Sequence, residues 1–299
     1  MISDSRRPPF SVIVATLNEA AEISETLARA SAALGPDAEL IVVDGDSRDG
    51  TAEVASPAAR VIVTAAGRGH QFRTGADAAA GAVLVFLHAD TWLEPGVGAA
   101  IEAALASGAV AGCLRFAVRG DRPSLRYRVL SSAINWRTRV FRTATGDQAL
   151  FVTREGYRAC GGMPAAPLFE DVRFVRRLRG AGPFVQADSR ALTSTRRWDE
   201  GGFLATVGRH WLLRALERLG ADPAGLAHRY DRDVTRPANR LLKNPGGSRA
   251  GGSRGSGKER RTELASPEHE VRRPGVARAT ARRRDDGSTA RPPCADHRE

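Results

Sequence analysis

Four apolar runs punctuate the N-terminal part of the chain, and each stops abruptly at polar residues. Phe10–Ala15, Ala38–Val43, Arg60–Thr64 and Val83–Leu87 all have the length and β-branched content of short buried strands. Between them the spacing turns helical. Asn18 stands where an N-cap belongs, and Ile23, Leu27 and Ala30 follow at helical intervals. Asp49-Gly50-Thr51 opens a second helix. The polar turn Gly67-Arg68-Gly69 leads into an Ala-rich helix ending near Ala80, and Pro95–Ser107 reads as a helix with Pro near its first turn. Strands alternating with helices at this pitch predict parallel, right-handed β-α-β units. Ligands of such sheets sit beyond the C-terminal strand ends, where Asp44 and Asp90 fall.

The alternation weakens after Val110–Phe116, a further strand. Leu125–Phe141 reads as an amphipathic helix, Ala149–Val152 as a strand, and Arg154–Ala159 and Asp171–Arg179 as helices. A longer helix is expected over Phe203–Leu219, with Phe203, Val207, Trp211 and Leu216 on one side. Residues 10–116 and 117–242 read as the two halves of one domain spanning 1–242. From about Asn244 the composition shifts to Gly, Ser, Arg, Pro and Glu with almost no aromatic residues, so 243–299 is expected to be a disordered basic tail.

Charge and cysteine content narrow the classes. The chain carries +11, of which the tail supplies +6 from 14 basic and 8 acidic residues, so the body is only mildly basic. The tail has no interleaved aromatics and its acids dilute the charge, which argues against specific nucleic-acid binding and leaves generic anion or peripheral membrane contact. Cys113, Cys160 and Cys294 are too widely spaced for a metal pair and too few for a disulfide framework, which fits a reducing compartment. No run has the length of a membrane span, and Met1–Pro9 lacks the apolar core of a signal peptide. A cytoplasmic protein, at most peripheral at the inner face of the cell membrane, is expected.

Three segments hold the candidate chemistry: Val42-Val43-Asp44-Gly45-Asp46-Ser47, Phe86-Leu87-His88-Ala89-Asp90, and Glu170-Asp171. Acids delivered at successive strand ends suit a cleft that holds a base, a metal-bridged diphosphate and an acceptor hydroxyl together. The order of these segments, with Gly146-Asp147-Gln148 and Gly161-Gly162 between them, resembles family-two glycosyltransferases. Their fold is GT-A, a Rossmann-like nucleotide-diphospho-sugar transferase fold with a mixed, mostly parallel sheet flanked by helices. The resemblance covers roughly Phe10 to Tyr230.

That resemblance implies roles for residues of this chain. Thr16, Asn18 and Glu19 would border the nucleotide, although Asn18 and Glu19 also read as a helix cap with an acidic first turn. Asp44 would accept the N3–H of uracil, with Asp46 beside it in a small permutation of the usual Asp-Asp-Gly-Ser. Arg68 and Arg73 would face the diphosphate from a Gly-rich segment opening a helix; relatives commonly carry Asn at the second position. His88 and Asp90 occupy the D-x-D position, with His replacing the first acid, and would hold Mg²⁺ or Mn²⁺. Asp147 would contact a sugar or the acceptor. Asp171 would be the catalytic base, with Glu170 orienting it or the acceptor; both also read as acids complementing a helix dipole. Arg197 would neutralise the leaving diphosphate and Trp198 would wall the acceptor site, while Ser194 at the Gln position of Q-x-x-R-W argues against processive synthesis.

The implied activity is inverting transfer of a sugar, most naturally from a UDP-sugar, to a hydroxyl or carboxyl acceptor. Phe-Leu-His-Ala-Asp-Thr and Gly-Asp-Gln…Glu-Asp-Val further resemble a bacterial subgroup associated with arsenosugar or carotenoid-ester glycosylation. The rivals are a sugar nucleotidyltransferase, opposed by Thr16-Leu17-Asn18-Glu19 in place of a Gly-rich basic signature, and a catalytically inert GT-A domain, suggested by His88.

Overall fold

The computed structural model describes residues 8–120, 123–166 and 168–196, together with residues 208, 212 and 216. The expected helix over Phe203–Leu219 is thereby left almost wholly outside the described residues, as are Arg197, Trp198 and the tail. The described chain runs β1 (Phe10–Thr16), α1 (Ala20–Leu34), β2 (Glu39–Asp44), α2 (Thr51–Ala55), β3 (Arg60–Val63), α3 (Arg68–Ala78), β4 (Val83–His88), β5 (Thr91–Leu93), α4 (Val97–Ala106) and β6 (Ala111–Val118). It continues through α5 (Leu125–Phe141), a 3₁₀ turn at Gly146–Gln148, β7 (Leu150–Thr153), α6 (Arg154–Ala159), α7 (Glu170–Ala181) and β8 (Phe184–Thr193).

The strands form one sheet in the order β3-β2-β1-β4-β7-β6-β8-β5. β1 pairs in parallel with β2 and β4, β2 with β3, and β6 with β8; β7 runs antiparallel to both β4 and β6, and β5 antiparallel to β8. The sheet is therefore mixed and mostly parallel, as the motifs led us to expect. Alternate strand residues bury on opposite faces. Val12, Val14, Val85 and Leu87 pack with Ile23 and Leu27 of α1 and Ile101 of α4. Ile13, Leu84 and Phe86 pack with Phe72 of α3 and Phe174 of α7. Both faces being covered explains why these strands read as unbroken apolar runs.

Several boundaries differ from the sequence expectation for local physical reasons. Asn18 is not the cap of α1: it lies in the left-handed region (φ 55°) and Glu19 takes the N-cap position. The N–H groups at the start of α1 are instead met from the loop before α2 and its first residue, the N-cap Glu19 N–H donating to Thr51 Oγ1 (2.9 Å) and Ala20 N–H to Asp49 Oδ2 (3.0 Å). The Thr51 hydroxyl, followed by the Ala20 N–H, holds the Asp49 carboxyl below its ordinary range. Helix α3 begins at Arg68 and so absorbs the expected turn; in its first turn Gly69 lies where a Cβ would stand 2.4 Å from the Pro164 carbonyl oxygen. Strand β8 escaped a hydrophobicity reading because its exposed positions carry Asp188 and Arg190, the former paired with Arg115 of β6 at 3.0 Å.

Gly75 brings α3 onto the sheet: a Cβ there would sit 2.3 Å from Ile13 Cγ2 and 2.9 Å from Val43 Cγ2. Gly75→Ala should therefore cost about 1–3 kcal/mol in urea unfolding by overpacking. Gly180→Ala, with nothing within 4 Å of its Cβ, should instead stabilise α7 by about 0.4–1 kcal/mol. Equal effects from the two substitutions would contradict this packing account.

Candidate active site

Parallel register brings the ends of three strands level. Thr16 lies beside Asp44, and Ala15 beside His88, at one edge of the sheet. The buried Asp44 carboxylate accepts from the Thr16 hydroxyl (2.9 Å), the Ser47 N–H (2.8 Å) and the Ser47 hydroxyl (2.6 Å). It thus pins the loop that follows its own strand. Asp46 stands exposed on that loop in a left-handed conformation (φ 64°). Asn18 meets the same loop, its N–H donating to Ser47 Oγ and its Oδ1 accepting from the Arg48 N–H.

A residue that the sequence did not single out holds this junction. Gln71 is buried on α3; its Nε2 donates to the carbonyls of Thr16 and Val43, both at 2.8 Å, and its Oε1 accepts from the Gly67 N–H at 3.2 Å. One amide therefore ties the ends of β1 and β2 to the start of α3. A Gln directly before Phe72 in an otherwise apolar helix face was the only signal available.

His88 and Asp90 flank the end of β4, both buried. The His88 ring stacks on Phe72, and its Nδ1 lies 3.1 Å from Asp147 Oδ1. Its Nε2 is buried without a hydrogen-bond partner among the described residues, beside Gly146, where a Cβ would come within 2.3 Å of it. Asp90 Oδ1 accepts from the Thr91 hydroxyl at 3.4 Å, and its carbonyl accepts from the Ser194 N–H at 3.2 Å. Glu19 is joined to Arg196, just after β8, at 3.1 Å.

The 3₁₀ turn then connects this strand end to α7. Gly146 N–H donates to Asp171 Oδ2 at 2.8 Å, and Asp171 Oδ1 accepts from the Val172 N–H at 2.7 Å. Gln148 locks the turn from below, with Nε2 donating to Leu114 O (3.3 Å) and Thr138 Oγ1 (3.1 Å), and Oε1 accepting from the Thr145 N–H (3.2 Å). His88, Asp147, Gly146 and Asp171 consequently form one connected constellation. Glu170, which precedes Asp171, is buried and paired through Oε1 with Arg68 Nε at 2.7 Å. Burial pushes its carboxyl above the ordinary value of 4.5; Arg68 opposes the rise and the neighbouring Asp171 adds to it. Arg68 and Glu170 are thus partners, while Arg73 turns to the loop before α7, donating to Gly161 O at 3.1 Å.

Among the described residues no three His, Cys, Asp or Glu side chains gather into a self-sufficient metal site. A hard cation that binds one or two carboxylates and fills its shell with substrate phosphates and water needs no such group. Asp90, an oxygen donor at a strand end, fits that use. Of the two ring nitrogens of His88, Nδ1 faces Asp147 and Nε2 lies beside Gly146.

The mixed sheet with acids gathered at its strand ends is the GT-A architecture of nucleotide-sugar transferases. Residues 11–167, more than half of the chain, match the model of glycosyl transferase family 2, and the chain belongs to that family. Its fold is similar to that of the mannosyltransferase PcManGT from Pyrobaculum calidifontis, solved in complex with GDP-Man and Mn²⁺. The two are 19% identical, with a TM-score of 0.54, over 80% of this chain and 73% of that one. It is similar also to TarS of S. aureus, 18% identical with a TM-score of 0.50, over 78% of this chain and 43% of that one. At these identities the likeness carries the fold. No curated protein matches significantly.

The raised Glu170 carboxyl has a pH signature. Between 4.5 and its raised value the folded chain binds this proton and the unfolded chain does not, so stability falls as pH rises through that window. Glu170→Gln should remove this loss: the stability of wild type relative to the variant should decline from about pH 4.5 upward in thermal or urea titrations. A difference that is flat or rises with pH would show that burial does not penalise the Glu170 charge.

Proposed function

We propose that this family 2 enzyme is an inverting glycosyltransferase that moves a sugar from a nucleoside-diphosphate donor, a UDP-sugar, to a hydroxyl or carboxyl acceptor. The observation that carries the reading is the Asp171 carboxylate, aimed by two backbone N–H groups and joined through Gly146–Asp147 to the end of β4. The donor lies at the ends of β1, β2 and β4. Thr16, Asn18 and Glu19 border the nucleotide, and Asp44 accepts the N3–H of uracil at the loop bearing Asp46. Arg197 supplies positive charge for the diphosphate; Arg68 and Arg73 of α3 add to it only by turning from Glu170 and from the Gly161 carbonyl. Mg²⁺ or Mn²⁺ held at Asp90 supplies neutralising charge for the diphosphate; the Mn²⁺ bound with GDP-Man by the P. calidifontis enzyme supports this choice. His88 acts one step back, fixing Asp147, which faces the sugar or acceptor; Trp198 walls the acceptor site.

The reaction is a single displacement. The acceptor oxygen attacks the anomeric carbon, its proton passes to Asp171, and the bond from that carbon to the diphosphate breaks with its electron pair leaving on phosphate oxygen. Glu170, held by Arg68, keeps the first turn of α7 in place. An acceptor of the carotenoid or arsenosugar kind is the expectation of the motif segments alone.

Asp171→Asn preserves shape but cannot take the proton. For a hydroxyl acceptor, transfer should fall by about 10²–10⁴, with UDP affinity nearly unchanged because the base faces the other substrate. Near-normal transfer would remove Asp171 from the role of base. A carboxylate acceptor arrives already deprotonated, so a large loss in turnover with intact donor binding also selects the hydroxyl.

A further inference from the structure

Helix α5 presents two apolar faces, and the sheet uses only one. Tyr127, Leu130 and Ile134 pack against Phe116 and Val118 of β6. Asn135 fastens the same side by accepting from the Phe116 N–H (2.8 Å) and donating to its carbonyl (2.9 Å). The opposite side carries Leu125 (72% exposed), Val129 (60%), Trp136 (62%) and Val140 (53%), with Phe141 set edge-on to Trp136 at 6.0 Å. At 3.6 residues per turn these first four fall within about a quarter of the helix circumference. Leu125, Arg128, Val129, Ser132, Ala133 and Trp136 line an open groove along it. Of the exposed large apolar residues among the described residues, more than half lie on this one helix.

The charges beside this stripe say what it fits. Helix α5 contains Arg126, Arg128, Arg137 and Arg139 and no Asp or Glu at all. Arg128 and Arg139 fall along one edge of the apolar stripe and Arg126 near the other, by helical position. A second copy would bring like-charged Arg edges together, and residues 243–299 of this chain are themselves net +6. An anionic, laterally continuous apolar phase satisfies both features. A helix with an apolar stripe carrying Trp, flanked by Arg and lying in the plane of the surface, is the physical form of an interfacial membrane helix. No described helix is long and apolar enough to cross a membrane, so this contact would lie on the surface.

We propose that the outer face of α5 docks this protein on an anionic lipid bilayer, with Leu125, Val129, Trp136 and Val140 in the headgroup–acyl boundary and Arg128 and Arg139 at the lipid phosphates. The docking stands independently of the reaction assigned above. Its geometry reaches the active site through Thr138, whose hydroxyl is bonded to Gln148 Nε2 of the 3₁₀ turn that holds Asp171. Bilayer and catalytic turn are thereby joined by one rigid helix.

The full chain should be sedimented with phosphatidylcholine vesicles, with and without phosphatidylglycerol. Binding should require the anionic lipid and weaken with salt. Arg128→Glu with Arg139→Glu, and separately Val129→Ser with Trp136→Ser, should each lower partitioning by about tenfold or more with unchanged melting temperature. Brominated lipid should quench a tryptophan signal that Trp136→Phe removes. Binding that survives both pairs of substitutions would place the contact on the basic tail and overturn the proposal. Absence of vesicle binding, or a Trp136 shielded from the brominated chains by another segment or copy, would overturn it equally.

Discussion

The main-chain N–H of Gly146 is the joint on which the two halves of the site depend. It donates to Asp171, while the α-carbon of the same residue lies against the His88 ring. Only a residue without a side chain can do both, because a Cβ would stand 2.3 Å from His88 Nε2. The position of an acid on α7 is thus set by a ring at the end of β4, although the two are far apart in sequence. Backbone donors of this kind give a carboxylate short, charge-assisted hydrogen bonds without adding a titratable group.

Around that joint, polar side chains do the work that sheet pairing cannot reach. Gln71 binds the terminal carbonyls of β1 and β2; Gln148 binds α5, β6 and the 3₁₀ turn together. Both are fully enclosed, so each unmade hydrogen bond would leave a buried polar atom at a cost of about 1–3 kcal/mol. The same logic separates the two acids of the Glu170-Asp171 pair. Glu170 is buried against Arg68 and serves the helix start, whereas Asp171 is partly open and accepts from two backbone N–H groups. Adjacent carboxylates with unlike surroundings are suited to unlike tasks.

The parallel half of the fold was legible because β1, β2 and β4 are covered on both faces and read as continuous apolar runs. The ends of those runs located Asp44, His88 and Asp90 correctly at one sheet edge. Strands β5 and β8 were not legible: β5 is three residues long, and β8 spends its outward positions on Gln186, Asp188 and Arg190. The pairing of Arg68 with Glu170 was hidden for a different reason. It depends on α3 and the loop 164–166 approaching at Gly69, a tertiary contact that no local spacing encodes. Asn18 shows the converse, a residue of the right type for a cap displaced by Asp49 and Thr51 arriving from the start of α2.

The proposed donor site holds a nucleoside diphosphate at the ends of β1, β2 and β4, with a divalent cation at Asp90. Calorimetric titration of UDP into the full chain, with Mn²⁺ and with chelator, tests that claim most directly. Binding should be metal-dependent, abolished by Asp90→Ala and weakened by Asp44→Ala even at saturating metal. UDP affinity indifferent to chelator and to Asp90→Ala would contradict that claim.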